Sequence, residues 1–307
     1  MISPTLILVK DGLMQIIKDI DEMTACGAAA RAKGEIVVLV PTMGFLHAGH
    51  VKLIETGLIL PRPPLEKGGT IETQGSMLVL SIFVNPAQFG PKEDFNAYPR
   101  DIERDMKTAK DAGVDAVFIP GAAEMYRQGS RTFVTVEGLS ERLCGRARPG
   151  HFKGVATVVL KLFNIVRPHK AVFGKKDYQQ LVIIKRLADD LNTGVEIVGV
   201  DTVREEDGLA MSSRNTYLSP VERRAAAAIP RALLAARQAV DGGQRQSLAI
   251  IEKARDIMVK EDAITIEYVN ICDPVTLEDV EIIEKETLLA VAARVGRTRL
   301  IDNTLLA

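Results

Sequence analysis

Apolar runs along the first two thirds of the chain alternate with stretches whose apolar residues recur at helical spacing. Near-continuous apolar runs predict strands at 35–41, 77–84, 114–119, 132–136, 171–173 and 195–200. Helical spacing predicts helices at 47–58, 99–112, 151–166 and 177–191. The repeated order of strand then helix predicts an α/β fold with a doubly wound parallel sheet.

The pattern changes after about residue 205. Helices are predicted at 219–240 and 245–260, followed by strands at 264–271, 287–294 and 297–302. Helices followed by strands favour a second, smaller α+β C-terminal domain. We therefore expect two domains, residues 1–204 and residues 205–307, with the boundary in the loop from Glu205 to Gly208.

The segment from Leu60 to Gly75 fits this alternation poorly. It carries three prolines and three glycines between a predicted helix and a predicted core strand, where about 2–6 residues would suffice. We interpret it as a flexible surface insertion. The alternative is a lid or a partner-binding loop.

Composition narrows the class of protein. Among 307 residues, 47% are apolar, and 39 basic residues nearly balance 40 acidic ones, so no global field recruits nucleic acid. Three scattered cysteines without a CxxC pair suit a reducing compartment. No signal-peptide pattern and no apolar run of about 18 residues is present. We expect a cytoplasmic protein with neither a nucleic-acid nor a membrane partner.

The stretch PTMGFLHAGH, Pro41 to His50, follows the first predicted strand. His47 and His50 share one face of an opening helix turn, where the helix N-terminus favours anions and imidazolium N–H groups add donors. The motifs GxxxxGK[ST] and GxGxxG are absent. A metal shared by the two histidines is the alternative, but no third ligand lies nearby in the sequence. The pattern favours a phosphate site.

A second cluster, SIFVNPAQFG, delivers Asn85 and Gln88 at the carboxyl end of a buried strand, where ligands of open α/β sheets lie. Their amides suit hydroxyl and carboxylate groups. Turn chemistry explains Asn85 but not Gln88. The acidic run that follows, Glu93 to Asp105, is either a solvated helix start or a source of Mg²⁺ ligands.

Three further segments carry polar residues near predicted helix starts. Arg148 and His151 lie in a basic loop before an apolar helix. Phe173 to Leu181, FGKKDYQQL, offers two lysines for phosphate, and its aspartate could accept ribose hydroxyls or cap the helix. Asp207 to Asn215, DGLAMSSRN, suits a mobile phosphate clamp, although an N-cap and turn would have the same sequence.

Six motifs together resemble those of the pantoate–β-alanine ligase family, the pantothenate synthetases, and they occur in the same order. They are PTMGFLHAGH, SIFVNPAQFG, YPR, RPGHF, FGKKDYQQL and MSSRN. The resemblance runs from about residue 35 to the C-terminus. That family belongs to the HIGH-type nucleotidyltransferases, with HAGH standing for the HIGH signature and MSSRN for the mobile KMSKS-like element. The resemblance implies a Rossmann-like domain with a smaller C-terminal lid domain, and a homodimer.

The resemblance also implies a reaction. The carboxylate of pantoate attacks the α-phosphate of Mg²⁺-bound ATP, giving pantoyl adenylate and pyrophosphate. The amine of β-alanine then attacks the mixed anhydride, releasing pantothenate and AMP.

The family's site residues carry over onto matching positions of this chain. Catalytic roles fall on His50 as proton donor, with His47 and Lys176 on phosphate. Pantoate is assigned to Gln88 and Gln180, β-alanine to Gln88 and Asn85, and Mg²⁺ to Asp105. ATP is assigned to Met43, Gly44, Phe45, Leu46, His47, Ala48, Gly49, His50, Gly174, Lys175, Lys176, Asp177, Val203, Met211, Ser212, Ser213 and Arg214.

Two departures from the family pattern stand out. Lys175 replaces a common glutamate, which changes local charge, and the insertion from Leu60 to Gly75 lengthens a connection that the family usually keeps short. Two other functions remain open. Another adenylyltransferase of the HIGH class is disfavoured by Gln88 and Gln180, and a non-catalytic nucleotide-binding protein by intact histidines, Lys176 and Arg214.

Overall fold

The structure is a computed structural model and describes residues 5–9, 12–60, 65–67, 70–72, 75–91 and 93–307. The chain divides into two compact units. The first unit comprises Met1–Val136, Gly150–Gly174 and Ile184–Val200, and the second comprises Glu137–Pro149, Lys175–Ile183 and Asp201–Ala307. Over the described ranges, no helix is both long and apolar enough to cross a membrane.

The secondary structure is numbered in chain order. The strands are β1 (Thr5–Val9), β2 (Gly12–Ile17), β3 (Ile36–Thr42), β4 (Leu65–Lys67), β5 (Thr70–Glu72), β6 (Ser76–Ile82), β7 (Ala116–Phe118), β8 (Lys170–Gly174), β9 (Glu196–Val200), β10 (Ile264–Cys272), β11 (Thr287–Val295) and β12 (Thr298–Leu306). The helices are α1 (Ile20–Ala32), α2 (Ala48–Ile59), α3 (Ile102–Asp111), α4 (Ala122–Met125), α5 (Leu143–Ala147), α6 (His151–Val166), α7 (Tyr178–Asp190), α8 (Pro220–Ala226), α9 (Ala228–Asp241) and α10 (Ser247–Met258).

The first unit is built on a sheet with the strand order β1-β2-β7-β6-β3-β8-β9. β1 runs antiparallel to β2, and every other neighbouring pair is parallel. In register, Val38 lies beside Leu78 and Val40 beside Leu80, and all four side chains are buried. This confirms the Rossmann-like parallel sheet, because strands buried on both faces read as near-continuous apolar runs.

The second unit contains the antiparallel sheet β10-β11-β12. Its core joins apolar side chains of α9 and α10, such as Leu233 and Ile250, to those of β11, such as Leu289 and Val291. This confirms a smaller α+β C-terminal unit. The domain division at residues 204 and 205 stays a prediction. In the structure, segments 137–149 and 175–183 also belong to the second unit.

Two sequence-based elements are wrong. Residues 132–136 do not form a strand, and the N–H of Val134 donates to the hydroxyl of Thr157 at 2.9 Å rather than to a β-ladder. The helix predicted at 219–240 breaks at Ala227 into α8 and α9. Pro230 explains the break, since proline is tolerated in the first turn of a helix but not in its interior.

The insertion leaves α2 intact as far as Ile59. Within it, β4 and β5 pair as an antiparallel ribbon. The remaining parts at 61–64, 68–69 and 73–74, on which the prediction of flexibility also falls, lie outside the described residues.

Candidate active site

The loop between β3 and α2 carries the histidine motif and makes a turn that requires glycine. Gly44 has a φ of +80°, and a Cβ there would lie 2.9 Å from a carboxylate oxygen of Asp105. Phe45 follows with a φ of +50°, a left-handed conformation that costs a non-glycine residue about 1–2 kcal/mol. These two residues turn the chain so that His47 becomes the N-cap of α2.

Two side chains of α3 hold this turn. Asp105 is 1% exposed, and its carboxylate accepts hydrogen bonds from the N–H groups of Phe45 and Leu46, each at 2.7 Å. Arg104 donates to the carbonyl of Leu46 at 3.2 Å and lies 4.8 Å from the centroid of the Phe45 ring. Burial raises the pKa of Asp105, while the two backbone N–H groups and Arg104 oppose that rise. Asp105 therefore stabilises the strained loop.

His47 and His50 lie with their ring centroids 4.0 Å apart. The Nδ1 of His47 accepts the N–H of Gly49 at 3.1 Å, and the Nδ1 of His50 accepts the N–H of His47 at 3.3 Å. Because a backbone N–H can only donate, both Nδ1 atoms are acceptors, which places the proton of each neutral ring on Nε2. The sequence prediction invoked imidazolium donors. This geometry instead favours two neutral rings that donate through Nε2.

Asp105 does not fit the magnesium role that the family resemblance implied. Both of its oxygens already accept backbone N–H groups at 2.7 Å in a buried position, whereas Mg²⁺ needs near-octahedral oxygen contacts and keeps several waters. Nor do the described residues contain a group of three or more His, Cys, Asp or Glu side chains arranged to hold a metal ion.

The turn after β6 brings Asn85 and Gln88 together, as predicted. Pro86–Gln88 forms a short 3-10 turn with Asn85 as its N-cap. The Nδ2 of Asn85 donates to the Oε1 of Gln88 at 3.0 Å and to the carbonyl of Gly154 at 3.1 Å. The Oδ1 of Asn85 accepts the N–H of Ala87 at 3.2 Å and the hydroxyl of Tyr126 at 2.8 Å. Asn85 is 1% exposed, so its amide orders the turn.

The same turn is fixed against α6. The Nδ1 of His151 lies 2.8 Å from the carbonyl of Gln88, and since a carbonyl only accepts, this nitrogen carries the proton. A Cβ at Gly154 would lie 2.6 Å from the backbone nitrogen of Gln88, so this helix glycine permits close backbone approach. The Nε2 of Gln88 is 3.1 Å from the sulfur of Met43. The histidine loop and the Asn85–Gln88 turn therefore form one site on the first unit.

The lysine pair lies in the second unit, in the 3-10 turn Lys175–Asp177. The Nζ of Lys175 is 2.7 Å from Asp201 and the Nζ of Lys176 is 3.8 Å from Asp177. The side chain of Asn303 on β12 donates to the carbonyls of both lysines at 2.9 Å. A backbone turn held from a distant strand can present an ammonium group reproducibly. Lys175 thus forms an ion pair with Asp201.

The two glutamines at the start of α7 have different environments. Gln179 is buried and accepts the N–H of Cys144 at 2.9 Å while donating to the carbonyls of Leu139 and Arg142, each at 2.8 Å. Gln180, the predicted pantoate residue, is half-buried. Gln179 is therefore structural, and it orders the segment that enters α5.

The segment Met211–Arg214 also lies in the second unit. The N–H of Met211 donates to the carbonyl of Val203 at 2.9 Å, so the backbone predicted to meet adenine and the predicted phosphate clamp are neighbours. Ser212 caps the 3-10 turn Ser213–Tyr217, its hydroxyl accepting the N–H of Arg214 at 3.3 Å. The N-cap that the sequence offered as the alternative is thus present.

Sequence reasoning missed two residues that order the site, Tyr126 on Asn85 and Asn303 on the lysine turn. It named Asp105, but for Mg²⁺ and not for the hydrogen bonds that it accepts from the histidine loop. For Asp105 a signal existed, because it shares the buried face of α3 with Ala109, and a carboxylate on the apolar stripe of a helix needs a specific partner. For Tyr126 and Asn303 the sequence held no comparable signal.

Comparison with known proteins shows the family of the chain. A family profile described as Pantoate-beta-alanine ligase matches residues 15–305. The pantothenate synthetase of Desulfatibacillum aliphaticivorans is 50% identical over 293 residues, covering 95% of this chain and 99% of that protein. That of Geotalea uraniireducens is 50% identical with the same coverage.

Solved structures give the same result. The crystal structure of pantothenate synthetase from Thermus thermophilus matches with a TM-score of 0.85 and 42% identity, over 94% of this chain and 98% of that one. The pantoate–β-alanine ligase of Francisella tularensis, complexed with β-γ ATP and β-alanine, matches with a TM-score of 0.74 and 28% identity, over 94% and 97%. The profile spans nearly the whole chain and the relatives are full-length matches, so this chain belongs to the pantoate–β-alanine ligase family.

Proposed function

We propose that the protein uses ATP to condense pantoate with β-alanine, through a pantoyl-adenylate intermediate. The observation that carries this proposal is the contact between the histidine loop and the Asn85–Gln88 turn in the first unit. There, two histidines with Nε2 protons stand at a helix N-terminus, and the Gln88 amide reaches the same loop at Met43. Phosphate donors and an acid-binding amide side by side on two neighbouring loops are what adenylation of a small hydroxy acid needs.

In the first step, a carboxylate oxygen of pantoate attacks the α-phosphorus of ATP, and the bond to the β-phosphate oxygen breaks to release pyrophosphate. The protein has little covalent chemistry to perform, so alignment and charge stabilisation dominate. We propose that His47 and His50 donate hydrogen bonds through Nε2 to phosphate oxygens, with the donor role of His50 being a hydrogen bond that stabilises the charge developing on the phosphate. Gln88 and Gln180 hold pantoate.

In the second step, the amine nitrogen of β-alanine attacks the acyl carbon of pantoyl adenylate. The bond from that carbon to the AMP oxygen breaks, AMP leaves, and the nitrogen loses a proton. We assign direct contact with β-alanine to Gln88 and a supporting role to Asn85. Because Asn85 already makes four hydrogen bonds within the protein, we assign its contribution to ordering Gln88 rather than to direct contact.

The remaining ATP contacts are proposed on the second unit. Lys176 meets phosphate, Lys175 and Asp177 flank it after Gly174, and the Val203 backbone meets adenine. Met211–Arg214 is proposed to bind the phosphates as the KMSKS-like element of the family. Mg²⁺ belongs to the proposal as the counter-ion of the ATP triphosphate, not as an ion held by Asp105.

The proposal extends to a cytoplasmic homodimer. Cys26, Cys144 and Cys272 are free thiols, which is compatible with a reducing compartment. Sedimentation equilibrium of the full chain tests the dimer, since a single species at the monomer mass over the assay's concentration range would contradict it.

One assay tests the function. The protein is incubated with ATP, Mg²⁺, pantoate and β-alanine, and pyrophosphate and AMP are measured with each acid omitted in turn. We expect pyrophosphate release to require pantoate and AMP release to require both acids. Pyrophosphate release that ignores pantoate would exclude the substrate assignment. His50→Ala should abolish adenylate formation while leaving the circular dichroism spectrum unchanged, and a nearly normal first step would remove His50 from its role.

A further inference from the structure

The Asn85 side chain has an orientation that the backbone around it dictates. The N–H of Ala87, 3.2 Å away, can only donate, and the carbonyl of Gly154, 3.1 Å away, can only accept. The amide oxygen must therefore face Ala87 and the amide nitrogen must face Gly154. At 1% exposure no water competes for either atom.

The hydrogen bond with Asn85 fixes the orientation of the Gln88 amide. Since the nitrogen of Asn85 faces Gln88 at 3.0 Å, the atom of Gln88 that meets it must be the acceptor Oε1. The donor Nε2 is therefore on the other side, where it lies 3.1 Å from the sulfur of Met43 on the histidine loop. Gln88 is thus oriented with its N–H groups, a type of donor that binds carboxylate and hydroxyl oxygens, on the side of the histidine loop.

Tyr126, next to α4, closes the chain of hydrogen bonds. Its hydroxyl lies 2.8 Å from the Oδ1 of Asn85, and since that oxygen is an acceptor, the phenol donates. Burial raises the pKa of Tyr126 to about 12, so the donor proton remains at every ordinary working pH. The ring of Tyr126 lies near that of Phe83, with centroids 6.4 Å apart.

We propose that Tyr126 is a positioning residue for the acid substrate. Its hydroxyl holds Asn85, Asn85 holds the Gln88 amide with its N–H groups towards the histidine loop, and this arrangement selects an acid that offers oxygen acceptors there. The inference rests on the proposed function, in which Gln88 binds pantoate.

Tyr126→Phe removes the hydroxyl and keeps the ring. Steady-state constants for pantoate and ATP are measured together with the unfolding temperature. Losing one positioning hydrogen bond should raise the KM for pantoate about fivefold, whereas the KM for ATP and kcat change by less than about twofold. An unchanged KM for pantoate overturns the inference.

Tyr268→Phe is the matched control. The Tyr268 hydroxyl also forms a side-chain hydrogen bond, lying 3.0 Å from the sulfur of Cys144 in the second unit. This variant should lower the unfolding temperature as Tyr126→Phe does, yet leave the KM for pantoate unchanged. Equal effects of both variants on that KM would mean that general loosening, not positioning, is measured.

A double-mutant cycle tests the route through Gln88. If Tyr126 acts through that amide, Tyr126→Phe has no further effect on the KM for pantoate once Gln88→Ala is present. Multiplicative effects of the two changes overturn the inference. The wild-type protein in the same assay separates a failure of the proposed function from a failure of the role proposed for Tyr126. A wild-type protein without pantoate-dependent turnover would contradict the proposed function itself. With active wild type, only the role of Tyr126 is in question.

Discussion

Gly154→Ala is the substitution with which this site is most sharply tested. In an ordinary helix interior, replacing glycine by alanine gains about 1 kcal/mol of stability. Here the added Cβ would lie 2.5 Å from the carbonyl carbon of Ala87 and 2.6 Å from the nitrogen of Gln88. Both are backbone atoms, so no side chain can rotate out of the way and the Asn85–Gln88 turn must shift.

The magnitude follows from three opposing terms. The overlap costs about 1–3 kcal/mol by analogy with overpacked cores, and weakening the bond from Asn85 to the Gly154 carbonyl costs about 1 kcal/mol more. The helix-propensity gain of about 1 kcal/mol opposes both. We expect a net loss of about 1–3 kcal/mol in the free energy of unfolding. A shift of Gln88 by about 1 Å should also lower kcat/KM for pantoate by tenfold or more.

Urea unfolding and pantoate kinetics measure these two effects. Gly121→Ala is the matched control, because Gly121 has a φ of −74° and a Cβ there meets nothing within 4 Å. Its unfolding free energy should change by less than about 0.5 kcal/mol. A Gly154→Ala protein that is as stable as wild type, with normal pantoate kinetics, would refute the close-approach argument.

Three further predictions concern other parts of the molecule. Asp105→Asn leaves one backbone N–H facing an amide N–H, so it should cost about 1–3 kcal/mol of stability. It should also slow adenylation, and added Mg²⁺ should not restore the rate. Restoration of the rate by Mg²⁺ would instead make Asp105 a metal ligand. Asn303→Ala removes both bonds to the lysine turn that carries Lys176 and should raise the KM for ATP about three- to tenfold, with pantoate binding measured as the internal control. Lys285 and backbone N–H groups lower the pKa of Asp273 from 3.8 to about 2, so the stability that the ionised Asp273 contributes is present above pH 3.8 and is lost as pH falls towards 2. The unfolding temperature of Asp273→Asn should therefore fall less steeply with decreasing pH than that of the wild type. An unfolding temperature with the same pH dependence in both proteins would contradict this.

From residue 35 onwards local pattern predicted most of the helices and strands, whereas it missed β2 and α1 before that residue. The helix predicted at 151–166 has those bounds in α6, and the strand predicted at 35–41 is shifted by one residue. Periodicity reports which face of an element is buried, so it succeeds where packing follows the element's own geometry. It failed at 132–136, where Val134 bonds to a helix side chain instead of a neighbouring strand.

The motifs were equally readable, because the glycine at position 44 and the two histidines act over a few residues. The sequence therefore determined that a strand, a tight turn and two imidazoles meet at a helix start. It also determined the order of the later motifs, from which the family follows. The sequence did not determine the roles of Asp105 and Asn85, because each role depends on which distant groups the side chain contacts.

Those partners were decided by tertiary structure. Asp105 meets Leu46 across 59 positions, Asn85 meets Gly154 across 69, and Asn303 meets the carbonyl of Lys175 across 128. Buried polar groups must be paired, but a sequence does not state with which distant group. The chain by itself thus specified the chemical groups of the site. The folded structure decided which of them hold the others in place, because that depends on which distant groups meet.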